Sequence, residues 1–420
     1  MSLANFSFST ITYLTLVIAY TLTVLVSPTV EFRATLTHVD HGKNLSKIEL
    51  LQLALGRGQK RLDWVEAAAL KSSGKIKSTI TACPKYLYSE YLVELNMGTP
   101  LQTFRALMST GTDLTWIQCT SCKTKCPPKP AHFFSTENSK SYHELECPSK
   151  GRAHDKCTYN VMYADDGWSI GNLATETFQF EEGSDPVPKL VFGCGFNNSG
   201  DLLGGSGVLA LGPTTHSFVS QLGVTKFSYC MPPAGLNEEG VLEMGAGAFD
   251  RVDIHTPTTR LIVNGTRPYY GIPLKGIVVG GADPMQVDGS TPAIISTGTT
   301  LTLLERGVFE DVKRQFAKKI GLSPANGSEI DASLELCFDV QGRRKIKVPK
   351  VVLKFEGAKV ELPPESYFVV DGGVGCLAMG AAEEGEPNIL GNFQQQNMLV
   401  AYDIANGTIS FVPNTQCGDM

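Results

Sequence analysis

The sequence predicts a mainly β protein of two lobes, and three observations predict it. After Lys85, short alternating segments such as Tyr91-Leu-Val-Glu-Leu-Asn96, Lys189-Leu-Val-Phe-Gly193 and Lys350-Val-Val-Leu-Lys-Phe355 carry the period-two texture of strands. The 42 glycines and 23 prolines supply the many turns that short strands need. One segment also occurs twice: Ala106-Leu-Met-Ser-Thr-Gly-Thr-Asp-Leu-Thr-Trp116 and Ala293-Ile-Ile-Ser-Thr-Gly-Thr-Thr-Leu-Thr-Leu303, with Ser109 and Ser296 lying 187 residues apart. Each half-chain therefore holds one copy. Helical periodicity is scarce, confined to Phe309, Val312, Phe316 and Ile320 and to a shorter stretch from Phe218 to Leu222. The chain is expected to cross between lobes near Thr256 to Pro268, giving an N-terminal lobe of residues 86–258 and a C-terminal lobe of 259–420.

From the N-terminus, residues 1–30 carry no charge, and Ile11 to Val26 is an apolar run broken only by Thr and Tyr. At 16 residues it is short of the roughly 20 that a membrane span needs, so residues 1–28 are read as a secretory signal peptide, with a signal anchor as the rival. Residues 31–85 carry ten Lys plus Arg against five Asp plus Glu; the chain as a whole is at −6, which leaves −11 on residues 86–420. An acidic body argues against nucleic acid as a partner. Within the basic stretch, Ser46-Lys-Ile-Glu49 has capping-box spacing ahead of Leu50, Leu51, Leu53 and Leu55, which predicts a helix start. Residues 29–85 thus read as a propeptide, or as an N-terminal extension.

The eleven cysteines of an exported chain read as a disulfide framework with one thiol left over. The candidates are Cys119, Cys122, Cys126, Cys147, Cys157, Cys194, Cys230, Cys337, Cys376 and Cys417; spacing alone does not fix their connectivity. The Cys-x2-Cys-x3-Cys run from Cys119 lacks a second half-set of ligands, so no metal is expected. Sequons at Asn44, Asn197, Asn264, Asn326 and Asn406 suit a secreted glycoprotein.

These pieces together resemble the pepsin-like aspartic peptidases, specifically the plant nepenthesin-like branch. The two Thr-Gly-Thr loops resemble the family's paired catalytic loops, where the residue before Thr-Gly is aspartate. Tyr163-Ala-Asp-Asp-Gly-Trp-Ser169 resembles its flap hairpin, with Ala164 and Asp166 interrupting the consensus. Leu209-Ala-Leu-Gly212 and Ile389-Leu-Gly391 resemble the segments that brace each loop, and Gly391-Asn-Phe-Gln-Gln-Gln-Asn397 the nepenthesin-like tail. The match runs in order over residues 86–417. It leaves a cysteine unpaired, with Cys83 outside the usual pattern. It implies a bilobal fold with a central cleft for an extended peptide or protein ligand, no cofactor, a monomer, and localisation outside the cell or in the wall, with the vacuole as alternative. Ser109 and Ser296 would occupy the catalytic positions, Thr110, Gly111, Thr112, Thr297, Gly298 and Thr299 would support them, and Tyr163 and Trp116 would be the flap tyrosine and its partner.

The family's chemistry needs two carboxylates sharing one proton, one as general base on water and the other as general acid. A serine hydroxyl neither accepts that proton nor shares it at acid or neutral pH. Asp113 and Asp165 belong to the family's scaffold pattern, and no histidine sits in a motif that would activate either serine. The reading is a peptidase fold without its acid–base pair; a weakly active endopeptidase and a binder acting through surface loops, as plant inhibitors of cell-wall glycoside hydrolases of this fold do, are the alternatives.

Overall fold

A computed structural model describes residues 31–47, 49–54, 90–120, 133–147, 155–163, 167–180, 184–200, 202–233, 238–264, 267–288, 291–325 and 334–420. Residues 1–30 with the expected signal peptide, the whole 55–89 stretch with Cys83, and Cys122, Cys126, Asn326 and residues 164–166 of the expected flap lie outside the described residues.

The protein is mainly β, with the bilobal pepsin-like fold. Each serine-bearing loop grows from an equivalent knot of strands. Gln102–Ser109 runs parallel to Gly207–Ala210, which runs antiparallel to Trp116–Gln118, which in turn runs parallel to the Gly193–Gly195 part of Val187–Ser199. In the second half, Ala293–Ile295 runs parallel to Ile389–Leu390, which meets Thr302–Leu304 antiparallel, and that strand runs parallel to Met379–Ala381. The repeat visible in the sequence is thus a repeat of topology. Among the described residues the first knot lies in a fourteen-stranded sheet and the second in a six-stranded one.

The long sheet also joins the two halves of the chain. Lys226–Cys230 pairs antiparallel with Met398–Asp403, which pairs with Thr408–Pro413, and that strand closes on Thr258–Arg260. Phe32–His38 is inserted between Gly240–Met244 and Tyr91–Met97, hydrogen-bonded on both sides. Its alternation explains the fit: Phe32, Ala34, Leu36 and His38 are buried while the residues between them are less so.

One continuous core underlies both halves. Phe32 and Phe180 meet edge to face at 4.0 Å, Phe180 and Phe218 at 5.0 Å, and Phe227 stacks on Tyr402 at 4.3 Å. Such pairs add about 0.5–1.5 kcal/mol each beyond area burial. The amphipathic helix is Arg306–Ile320, which buries Val308, Phe309, Val312 and Phe316, each contributing roughly 1.5–3 kcal/mol relative to an exposed side chain; the shorter one is Phe218–Gln221. The capping box forms as its spacing predicts, Glu49 N–H donating to Ser46 Oγ at 3.2 Å and Ser46 N–H to Glu49 Oε2 at 2.8 Å. Leu50, Leu51 and Ala54 of the following helical turns are buried.

Eight of the candidate cysteines pair as Cys119–Cys194, Cys147–Cys157, Cys230–Cys417 and Cys337–Cys376. No helix among the described residues is long and apolar enough to cross a membrane.

Candidate functional site

Ser109 ends its strand and Ser296 directly follows its own, and both are buried. The two turns are tied together by reciprocal bonds. Thr110 N–H donates to Thr297 Oγ1 at 3.1 Å and Thr297 N–H to Thr110 Oγ1 at 3.2 Å, while Thr297 Oγ1 donates to Met108 O at 3.2 Å. Both threonines are fully buried, so each bond forms where water offers no substitute.

The serine hydroxyls accept bonds from their own turns. Gly111 N–H reaches Ser109 Oγ at 3.3 Å and Gly298 N–H reaches Ser296 Oγ at 3.2 Å; Thr299 Oγ1 adds a second donor to Ser296 Oγ at 3.1 Å. Thr112, the counterpart of Thr299, makes no such bond, and its Oγ1 is buried without a partner. The site is symmetric in backbone and asymmetric in hydroxyl partners. Among the described residues no histidine hydrogen-bonds either serine hydroxyl.

The bracing segments lie against the loops at a distance only glycine allows. A Cβ on Gly212 would sit 2.5 Å from Pro268 O and 2.6 Å from Thr112 O, and one on Gly391 would sit 2.3 Å from the Leu301 carbonyl. Leu211 N–H donates to Ser109 O at 2.8 Å and Ser296 N–H to Leu390 O at 3.1 Å.

The tail motif supplies positioning residues whose roles its resemblance alone did not assign. Gln395 Nε2 donates to Ser296 O at 3.1 Å and Leu390 O at 2.9 Å, while its Oε1 accepts from Tyr229 Oη at 2.5 Å. Asn392 Nδ2 donates to Thr297 O at 3.0 Å.

Trp116 and Tyr163 are both buried, their rings 6.2 Å apart, and Trp116 Nε1–H donates to Tyr163 Oη. Trp168 turns its indole N–H to Asn197 Oδ1 on the neighbouring strand at 3.5 Å. Asp113 accepts from Thr214 Oγ1, and burial raises its carboxyl above the ordinary value, with the Thr214 bond and His216 opposing.

His38, Asp40 and Glu90 bring potential ligand atoms within 4.8 Å of one another, all buried. Asp40 N–H donates to His38 Nδ1 at 3.1 Å, which puts the neutral ring's proton on Nε2, the atom 4.0 Å from Glu90 Oε2. A metal on Nε2 would need that proton removed from an already neutral ring, so the arrangement suits a hydrogen-bonded cluster rather than a metal centre. Its signal in the sequence was the Phe32-x-Ala34-x-Leu36-x-His38 alternation, not read as a strand above.

Residues 91–246 match the family model described as xylanase inhibitor N-terminal and residues 269–413 the one described as xylanase inhibitor C-terminal. Aspartic proteinase nepenthesin-1 of Nepenthes gracilis is 38% identical over 408 residues, covering 92% of this chain and 90% of the relative. Nepenthesin-2 of the same plant is 37% identical over 406 residues, with the same coverages. Among solved structures, conglutin gamma, a basic 7S globulin from lupine seeds, matches with a TM-score of 0.65 at 19% identity, over 79% of this chain and 95% of that one. Soybean basic 7S globulin matches with a TM-score of 0.62 at 20% identity, over 78% and 94%.

Proposed function

Since the chain belongs to the plant pepsin-like aspartic peptidase family, we propose that it keeps that family's peptide-binding cleft while lacking its acid–base chemistry. One observation carries the reading. The two hydroxyls that accept from Gly111 and Gly298, in turns cross-tied by Thr110 and Thr297, belong to serines. By the family's motif these are the positions of the catalytic aspartates, here Ser109 and Ser296.

General acid–base catalysis is typically worth about 10²–10⁴-fold in rate, and neither hydroxyl can hold the shared proton that the reaction moves. A serine nucleophile would need an imidazole oriented on it. What remains is recognition: strand edges that grip an extended chain by main-chain bonds, with Tyr163 and Trp116 at the flap. We further propose that the protein is secreted as a glycosylated monomer, with residues 1–28 as signal and 29–85 as propeptide; the four disulfides among the described residues support an oxidising destination.

The test is cleavage of a mixed peptide library from acid to neutral pH by the native protein and by its Ser109→Asp, Ser296→Asp variant, each with and without residues 29–85. Cleavage by the variant alone is the expected result. Cleavage by the native protein overturns the reading, whether or not Ser109→Ala or Ser296→Ala abolishes it. The family models described as xylanase inhibitor favour a second reading, in which surface loops bind a glycoside hydrolase; inhibition of a xylanase that survives a bulky block in the cleft would select it.

A further inference from the structure

The segment from Val340 to Phe355 carries six cations, Arg343, Arg344, Lys345, Lys347, Lys350 and Lys354, and no carboxylate, in a chain whose net charge is −6. Arg343, Arg344, Lys345 and Lys347 are exposed, and none of the four forms an ion pair among the described residues. Elsewhere Lys226, Arg260, Lys275 and Lys313 each reach a carboxylate, as Lys350 does here. Other exposed cations without a partner, such as Lys140 and Lys189, stand apart along the sequence, whereas these four fall within one run of five residues. Where the segment becomes strand, Lys354 stands directly opposite Lys359, a like-charge pair that costs stability.

The backbone beneath these cations is held in place. Arg343 N–H closes a turn on Val340 O at 3.1 Å, with Gly342 at a φ of 72°, and Val340 N–H donates to Gly373 O at 2.8 Å. Ile346 and Val348 pack on the core, which leaves Lys345 and Lys347 turned to solvent. Tyr367 Oη donates to Pro349 O at 2.9 Å and Gly280 N–H to Lys350 O at 2.8 Å. The neighbouring carboxylates are engaged or face elsewhere. Asp339 accepts from Gln341 N–H and Glu361 takes Lys350, while Glu365 lines the cavity behind Ile346 and Val348, which neither Lys345 nor Lys347 lines. A fixed backbone under exposed, unpaired charge lowers the ordering cost of binding.

We propose that this segment binds an acidic polysaccharide, a sugar chain with a carboxylate on successive residues, by lining those carboxylates along Arg343, Arg344, Lys345 and Lys347. The ligand must be a polymer, because a single exposed ion pair contributes almost nothing in water, whereas several on one connected chain add through raised local concentration and released counterions. The adjacent Arg343 and Arg344 suit carboxylates, which a guanidinium grips with two parallel bonds. No large apolar side chain is exposed between Val340 and Phe355, so the segment has nothing to insert into a lipid surface. The choice of a polysaccharide over other polyanions rests on the secretion proposed above; binding measured on purified protein does not, so the two readings fail separately.

The test titrates the full chain with labelled polygalacturonate near neutral pH, beside monomeric galacturonate, the fully methyl-esterified polymer and phosphatidylglycerol vesicles. Saturable binding of polygalacturonate is expected, weakening steeply as salt rises, with no binding of the monomer or the uncharged ester. Replacing Arg343, Arg344, Lys345 and Lys347 together by Gln should weaken the polymer at least about tenfold and remove most of the salt dependence. A variant with the same net charge, in which Lys140, Lys189, Lys318 and Lys319 become Gln, should bind as the native protein does. Lys345→Arg with Lys347→Arg, which keeps the charge in place, should bind undiminished. Absence of saturable binding at low salt, an equal loss in the two four-fold variants, or vesicle binding as tight as that of the polymer would each overturn the proposal.

Discussion

Replacing Thr297 with valine tests how far the two turns depend on each other. The side chain is fully buried, and valine preserves its shape while deleting Oγ1. That oxygen accepts from Thr110 N–H, donates to Met108 O and makes a longer contact, 3.5 Å, with Thr110 Oγ1. Leaving a buried group unsatisfied costs about 1–3 kcal/mol, so Thr297→Val should destabilise by roughly 2–6 kcal/mol if Thr110 N–H and Met108 O are both stranded. Thr110→Val strands Thr297 N–H and removes the same 3.5 Å hydroxyl contact, and should cost about 1–3 kcal/mol. The sequence motif is the same in both turns, so any inequality comes from the extra bond to Met108. Urea unfolding of the full chain, followed by fluorescence with the m-value checked for constancy, measures both. Equal losses, or a larger loss in Thr110→Val, would refute the argument; losses below about 0.5 kcal/mol in both would show the reciprocal bonds to be dispensable.

Removing Cys230–Cys417, which spans 187 residues, should cost about 5 kcal/mol on the chain-entropy estimate, against about 3 kcal/mol for Cys147–Cys157, which spans 10; serine pairs compared by urea midpoint test the order. Gly391→Ala should be severely destabilising, because its Cβ meets backbone at 2.3 Å, whereas Gly111→Ala, with nothing within 4 Å, should change stability little; thermal melts of the two separate them. Asp113 has a folded pKa above its unfolded one, so its contribution is present below the unfolded value and lost as pH rises through the folded value. Asp113→Asn should therefore gain stability relative to the native protein as pH rises through that window, with the two converging below it; urea midpoints against pH show whether the curves separate in that direction.

Much of this was legible beforehand because it rests on local signals. Alternation marked the strands, Ser46 and Glu49 marked a helix start, and period 3.6 marked Arg306–Ile320. The duplicated Thr-Gly-Thr segments marked the two turns because a tight turn needs the same residues each time. What stayed hidden depends on contacts between distant segments. Nothing local to Gln395 says that its amide will hold the Ser296 carbonyl, 99 positions away. The cysteine pairing is likewise a property of the closed fold. The absence of a Thr112 counterpart to the Thr299–Ser296 bond could not be read from two nearly identical strings, since surroundings and not identities break that symmetry. Phe32–His38 was legible in principle, and its basic neighbourhood drew the reading toward a propeptide or an N-terminal extension.

That strand changes what proteolytic maturation could mean for this chain. Five residue pairs hold it to Gly240–Met244 and three to Tyr91–Met97. A cut within 55–89 would break the covalent thread without opening the sheet, leaving a nicked molecule of two chains held by main-chain bonds. Loss of the segment would bare two facing rows of unpaired amides and carbonyls, a slot that some other extended chain must fill. Maturation would then be an exchange of one strand for another, and its rate would be set by the incoming strand as much as by the protease.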